Sequence, residues 1–410
     1  MKNPFESRQC IRYGCPLMSC LALTTMMTPV VAQAQAPPSS NYTLAWSDSF
    51  PGTAIDPTKW MTRMGYDTSS NDHSVQMAAN DILSSGTLQI EGLSQPGFIG
   101  SENYTGGGLM SLATFRFGYF QVTATTPPVT VGGWHTTFWL SGGFDSDESW
   151  NPVPQTAYTE IDGLQVNSAN PTVTETDWIG WNGSTQTTKL CSYSRTSNYF
   201  TLTNAAGTAV NTSTASHIYG IEWTESTINY FVDGHEFCSQ PYLPSQYAAS
   251  PVNILLTSVA DGSDDIGTPS TATFSNPQYY VRDYYVNPED TGYAEYGNDW
   301  ANSSMAGFSF QPVRYGCNAG DTVTYTPGLL AAGNYDVQVY AIVGSGTDTA
   351  TAVTMNTSAG PQSGSALPST GASGWVDEGT YSFNAGDTSS VTLARGNNCL
   401  QTSMVKFLRQ

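Results

Sequence analysis

The chain has 410 residues, of which 11% are charged and 12% aromatic, and its formal net charge is −20. That length suits two domains at ~100–200 residues each. So acidic a surface excludes nucleic acid and anionic membranes as partners and weighs against heavily sulfated polysaccharides. Gly, Ser, Thr and Asn are abundant and long helical patterns are absent, which points to an all-β protein with many turns.

At the N-terminus, Lys2, Arg8 and Arg12 precede a mostly apolar or small stretch over residues 15–32. The "AQAQA" at 32–36 then offers A-x-A cleavage, so residues 1–36 read as a signal peptide. A lipoprotein signal at Cys20 is the weaker reading, because the apolar stretch follows that cysteine. The expected product is secreted, extracellular or periplasmic. No later run of ~18 apolar residues predicts a membrane span. Three of the seven cysteines leave with the signal. Cys191, Cys238, Cys317 and Cys399 remain, and four cysteines in an exported chain suggest disulfides in one of three connectivities. Domain boundaries favour Cys191–Cys238 and Cys317–Cys399.

Residues 37–287 form the first unit. Short alternating runs mark strands: "TLQIEG" (87–92), "FGYFQVTAT" (117–125), "HTTFWLSG" (135–142) and "INYFVDG" (228–234). Regular turn signals between them suggest a sandwich. Residues 288–297, polar and acidic with Pro288, read as a linker. Residues 298–410 read as a smaller β-sandwich, with clean alternation over 335–342.

The chemistry centres on "TEIDGLQV" (159–166). On a strand, Glu160 and Asp162 share one face. Strict alternation turns Gln165 away from them. A bulge at Gly163–Leu164 brings it back, and glycine tolerates one. Alone, these residues suit a solvated strand. Their surroundings differ: Trp134, His135 and Trp139 precede them, and Trp178 and Trp181 follow. Aromatic rings beside paired carboxylates are what a glycan cleft needs, since sugars stack on rings while polar groups read their hydroxyls.

Several ordered pieces resemble glycoside hydrolase family 16. They are "LAWSDSFPGTAIDPTKW", "YTGGGLMSLATFRFGYFQV", "GGWHTTFWL", "TEIDGLQ", "HIYGIEWTESTINYFVDG" and "YYVRDYY", spanning residues 44–286. The resemblance implies a concanavalin-like β-jelly roll and retaining hydrolysis of internal β-glycosidic bonds in a polysaccharide, a β-glucan or an agar-type β-galactan. It makes Glu160 the nucleophile, Asp162 an assisting residue and position 165 the acid/base. It calls for no cofactor. Retaining enzymes hold two carboxyl groups ~5–5.5 Å apart. Here the acid/base position carries Gln165, whose amide has no acidic proton to give.

Three explanations stand. The acid comes from Glu175, Asp177 or His135; or the protein binds glycans without turnover; or the glutamine was introduced to trap substrate. The family's glutamate at position 121 is also replaced, by Gln121. Tyr280 stands where an aspartate often helps hold a structural calcium, so no metal is expected. "DGSDD" (261–265) reads as a solvated loop.

Residues 298–410 are similar to the β-sandwich found at the C-terminus of golvesins and xanthan lyases, carried by "LLAAGNYDVQVYAIV", "GWVDEGTYSFNAGDTSSVTLARG" and "MVKFLRQ". The likeness implies a carbohydrate-binding module, with Trp300, Tyr315 and Trp375 as candidate sugar platforms. A monomer is expected.

Overall fold

The computed structural model describes residues 37–63, 65–66, 74–99, 102–142, 159–182, 185–191, 199–244, 249–261 and 266–410. The signal segment lies outside the described residues, as do 262–265 of the acidic loop. Among the described residues the only helical elements are three short 3-10 turns.

The first sandwich has two facing antiparallel layers. One runs from Thr185–Leu190 through Asp177–Asn182, Thr159–Asn167, Trp134–Ser141 and Asn253–Ala260 to Glu102–Ser111. The other runs from Asp81–Ser84 through Thr87–Ile99, Ser270–Val281, Gly118–Thr125, His217–Trp223 and Thr227–Val232 to His235–Pro241. Thr87–Ile99 also pairs with Glu102–Ser111, which joins the layers at a corner.

Period-two alternation fills the space between the layers. Phe138, Leu140, Ile161, Leu164 and Val166 from the first layer meet Phe120, Val122, Ile221 and Trp223 from the second, all buried. Each such side chain contributes about 1.5–3 kcal/mol by leaving water. The alternate residues of the first layer face outward, and they build the cleft. Both expected disulfides are present, Cys191–Cys238 and Cys317–Cys399.

The second sandwich has its own core, including Val323, Tyr325, Tyr335, Val337, Val391 and Phe407. Its boundary differs from the expected one. Tyr284–Val286 pairs with Val405–Arg409, so the second sandwich begins before residue 287. The expected linker at 288–297 contains the strand Tyr293–Tyr296, paired with Thr322–Tyr325. A four-residue edge strand amid acidic residues and turns carries too little alternation to be seen in the sequence. The two sandwiches are also tied together. Arg116 reaches Asp290 at 2.9 Å, and Lys406 reaches Glu225 at 2.8 Å.

Candidate active site

The site is built on a register slip. Along the strand Thr159–Asn167, Asp162 pairs with Trp139 and Leu164 pairs with Phe138, leaving Gly163 as the extra residue. This is the expected bulge. It sends Leu164 into the core and turns Gln165 to the face that already holds Glu160 and Asp162.

Glycine is required there by close approach. A Cβ on Gly163 would stand 2.6 Å from Ile221 Cδ1, deep in the core. The bulge removes ladder hydrogen bonds, and two buried threonines replace them. Thr174 Oγ1 accepts from Gln165 N at 3.2 Å, and Thr176 Oγ1 donates to the Gly163 carbonyl at 3.2 Å. Buried backbone polar groups need such partners.

Glu160, Asp162 and Gln165 share the cleft with His135 and Trp139 from the neighbouring strand. Arg63, Gln76, Thr137, Thr257 and Val259 complete its lining. The Arg63 guanidinium lies 5.1 Å from the centre of the Trp139 ring. None of these last five was identified from the sequence. Thr257 and Val259 belong to "NILLTSVA", which reads as uniform core because the strand is buried on both faces.

Burial dominates the electrostatics. It raises the Glu160 carboxyl to about 7; the negative charge of Asp177 adds to the rise and Arg63 opposes it. Burial also drives Asp162 well above the ordinary carboxylate range, helped by Glu160 and Asp177, while a hydrogen bond from Gln165 pulls the other way. Asp177 rises to about 6 through burial, held back by the hydrogen bond it shares with Asp162 and raised further by Glu175. The strand thus carries a carboxyl group poised near neutrality beside a second that retains its proton.

Two expected sugar platforms are corrected. Trp134 and Trp178 are fully buried and leave no ring face for a ligand. Trp134 Nε1 donates to the Gly267 carbonyl at 2.6 Å, and Trp178 packs edge-on against Tyr242. Alternation explains both. Trp134 precedes cleft-facing His135, and Trp178 follows Asp177, which pairs across the strands with Asp162. The Trp181 side chain lies outside the described residues. Gln121 and Tyr280 sit on the opposite layer, where Gln278 bonds both of their side chains. Among the described residues no group of three His, Cys, Asp or Glu could hold a metal ion.

Comparison with known proteins finds two families along the chain. Residues 59–276 match the family described as glycosyl hydrolases family 16, and residues 275–407 match the golvesin C-terminal domain. Over 204 residues the chain is 25% identical to beta-porphyranase E of Zobellia galactanivorans, covering 48% of this chain and 68% of that protein. Among solved structures, LamAcat from Zobellia galactanivorans is 21% identical, with a TM-score of 0.47, over 58% of this chain and 98% of that one. The laminarinase catalytic domain from Thermotoga maritima MSB8 is 18% identical, with a TM-score of 0.47 and the same two coverages.

Proposed function

The chain belongs to glycosyl hydrolase family 16, and on that premise we propose that it cleaves β-glycosidic bonds of a β-glucan or agar-type β-galactan with retention, using Glu160 as nucleophile. The observation that carries this reading is the bulged strand, which aligns Glu160, Asp162 and Gln165 along one cleft. The likeness to a β-porphyranase supports the galactan arm. The disulfides support an exported protein.

In the first step the Glu160 carboxylate attacks the anomeric carbon and the glycosidic C–O bond breaks. The leaving oxygen then needs a proton, and the Gln165 amide has none to give. Of the alternatives named from the sequence, Asp177 is buried beside Asp162 and outside the cleft lining, and Glu175 lies on a separate short strand. His135 lines the cleft itself. It is one strand away from Gln165, whose cross-strand partner Thr137 shares its face. His135 pairs with Asn167, six residues along its strand from the Ser141 that pairs with Glu160, roughly 20 Å away, so in this reading the leaving oxygen takes its proton from water. In the second step water attacks the glycosyl ester at the anomeric carbon, Glu160 leaves as the carboxylate, and the water's proton passes to solvent. Two displacements at one carbon give retention.

Gln165 itself favours a second reading, a glycan-binding protein without turnover. One set of assays separates the two. The natural chain, Glu160→Gln and Gln165→Glu are incubated with laminarin, agarose and porphyran, and new reducing ends are measured. Turnover by the natural chain that disappears in Glu160→Gln supports the enzyme. A silent natural chain with an active Gln165→Glu form supports the binding protein. Where both turn over, Gln165→Glu should be faster by ~10²-fold or more, the ordinary worth of a placed general acid.

A further inference from the structure

The second sandwich carries a hollow of about 450 Å³ that the cleft chemistry does not use. It forms where two sheet edges meet. Tyr293–Tyr296 is the edge strand of a five-stranded sheet, and Ala301–Asn302 is the edge of a three-stranded one. Side chains from these edges and from Arg314–Gly316 line it, between Pro288 and Pro312.

The polar lining is already ordered. Tyr293 Oη donates to Glu295 Oε1 at 2.9 Å. Arg314 grips the same carboxylate with two bonds, Nε to Oε1 at 2.7 Å and Nη2 to Oε2 at 2.9 Å. Arg314 Nη1 donates to Asn302 Oδ1 at 2.7 Å. Burial would raise the Glu295 carboxyl, but these bonds from Arg314 and Tyr293 outweigh it and hold the group below its usual range. The guanidinium has five N–H donors, and three serve these contacts.

We propose that this hollow is a second glycan-binding site, which takes a neutral pyranose unit of a polysaccharide on Tyr293, Glu295, Asn302 and Arg314. A pyranose offers hydroxyls that both donate and accept, set around an apolar C–H face. The hollow offers the complement: spare guanidinium donors, carboxylate and amide acceptors, and the proline and tyrosine rings. Side chains fixed by one another on strands lose little freedom when a ligand arrives. Glu289 and Glu295 outnumber Arg314, so the site disfavours sulfated or carboxylated sugars. Two of the three aromatic platforms expected from the sequence, Trp300 and Trp375, are engaged elsewhere. Trp300 Nε1 donates to the Tyr296 carbonyl, and Trp375 packs between Phe308, Tyr340 and the Lys406 ammonium. A site on each sandwich would hold one polymer at two points and raise avidity without new cleft contacts.

The test uses the full chain and reads binding, which separates it from turnover in the cleft. Pull-down on insoluble agarose and curdlan, and titration with soluble laminarin, are compared for the natural chain, Arg314→Ala and Asn302→Ala. Both variants should bind the polymers about tenfold more weakly, while turnover of a short oligosaccharide is unchanged. Arg314→Ala also loses an ion pair. Asn302 is exposed, so Asn302→Ala keeps the natural melting temperature and tests the site without loss of an ion pair. Natural affinity in both variants would overturn the site. So would tighter binding of carrageenan than of the neutral polymers, or a natural chain that binds none of them.

Discussion

Asp162 and Asp177 face each other across paired strands and share a hydrogen bond between their carboxyl groups. Such a bond needs a proton, and Asp162 supplies it, because the bond raises Asp162 and lowers Asp177. Burial outweighs that bond at Asp177, and the stability depends on pH as a result. Asp177 rises from 3.8 in the unfolded chain to about 6 in the fold. Between those values the folded state binds more protons than the unfolded one. Its contribution is therefore complete below pH ~4 and is lost as pH rises through about 6. Denaturant midpoints at pH 4, 5, 6 and 7 should show the natural chain losing on the order of 1–3 kcal/mol relative to Asp177→Asn across that window. Parallel curves for the two proteins would count against the burial-driven rise of Asp177.

The same aspartate should set the acid limb of activity. A nucleophile must be ionised, and burial together with the Asp177 charge places Glu160 at about 7. On that basis kcat/KM climbs with pH through about 7, above the ordinary carboxylate range. Asp177→Asn removes a negative neighbour, so the midpoint should move to lower pH. Arg63→Met removes the opposing cation and should move it higher. The profile is measured on laminarin or agarose with whichever form turns over, natural or Gln165→Glu. An unmoved midpoint in Asp177→Asn would show that another group controls the limb.

Gly163 is the point where core and cleft meet. Alanine there places a Cβ 2.6 Å from Ile221 Cδ1 and 2.7 Å from its Cγ1. Both layers are packed, so the strain should cost about 1–3 kcal/mol. Ile221→Val deletes the nearer atom. In the Gly163→Ala background it should cost less than the ~0.5–1.5 kcal/mol expected of Ile→Val alone, or even restore stability. Urea midpoints of the four proteins give the coupling directly. Simple additivity would mean the strand absorbs the methyl without meeting Ile221.

Much of this geometry is legible in "TEIDGLQV", because a buried face makes period-two alternation strict and a glycine marks where it can slip. Leu164 and Gln165 exchange faces as that pattern requires. Trp139 lines the cleft as expected, whereas Trp134 and Trp178 do not, because composition marks aromatics near the carboxylates but alternation decides which of them face the cleft. Trp134 and His135 are adjacent on a strand and cannot both face the cleft; the same holds for Asp177 and Trp178. Arg63, Gln76 and Thr257 were beyond reach. They arrive from segments distant in sequence, and no local pattern tells which segments become neighbours. The same limit hid Tyr293–Tyr296, whose only signal as a strand is a partner some 30 residues away.

Arg116 couples the two sandwiches. Its Nε donates to the Ala249 carbonyl at 2.8 Å, its Nη1 to Asp290 at 2.9 Å and its Nη2 to Gln311 at 3.3 Å. The side chain is almost wholly buried, and Asp290 is about a quarter exposed. Arg116→Met keeps much of the volume but leaves the Ala249 carbonyl, Asp290 and Gln311 short of a donor. Breaking a fully buried pair costs ~3–5 kcal/mol, and the exposure of Asp290 discounts that to ~1–3 kcal/mol. Because the lost contacts span both sandwiches, near- and far-ultraviolet dichroism should fall together at a lower denaturant midpoint. Asp290→Asn should be costly in the natural chain and nearly neutral beside Arg116→Met, a coupling of ~1–2 kcal/mol. Equal costs of Asp290→Asn in both backgrounds would remove this ion pair from the junction. The Ala249 and Gln311 bonds would then be left to carry it.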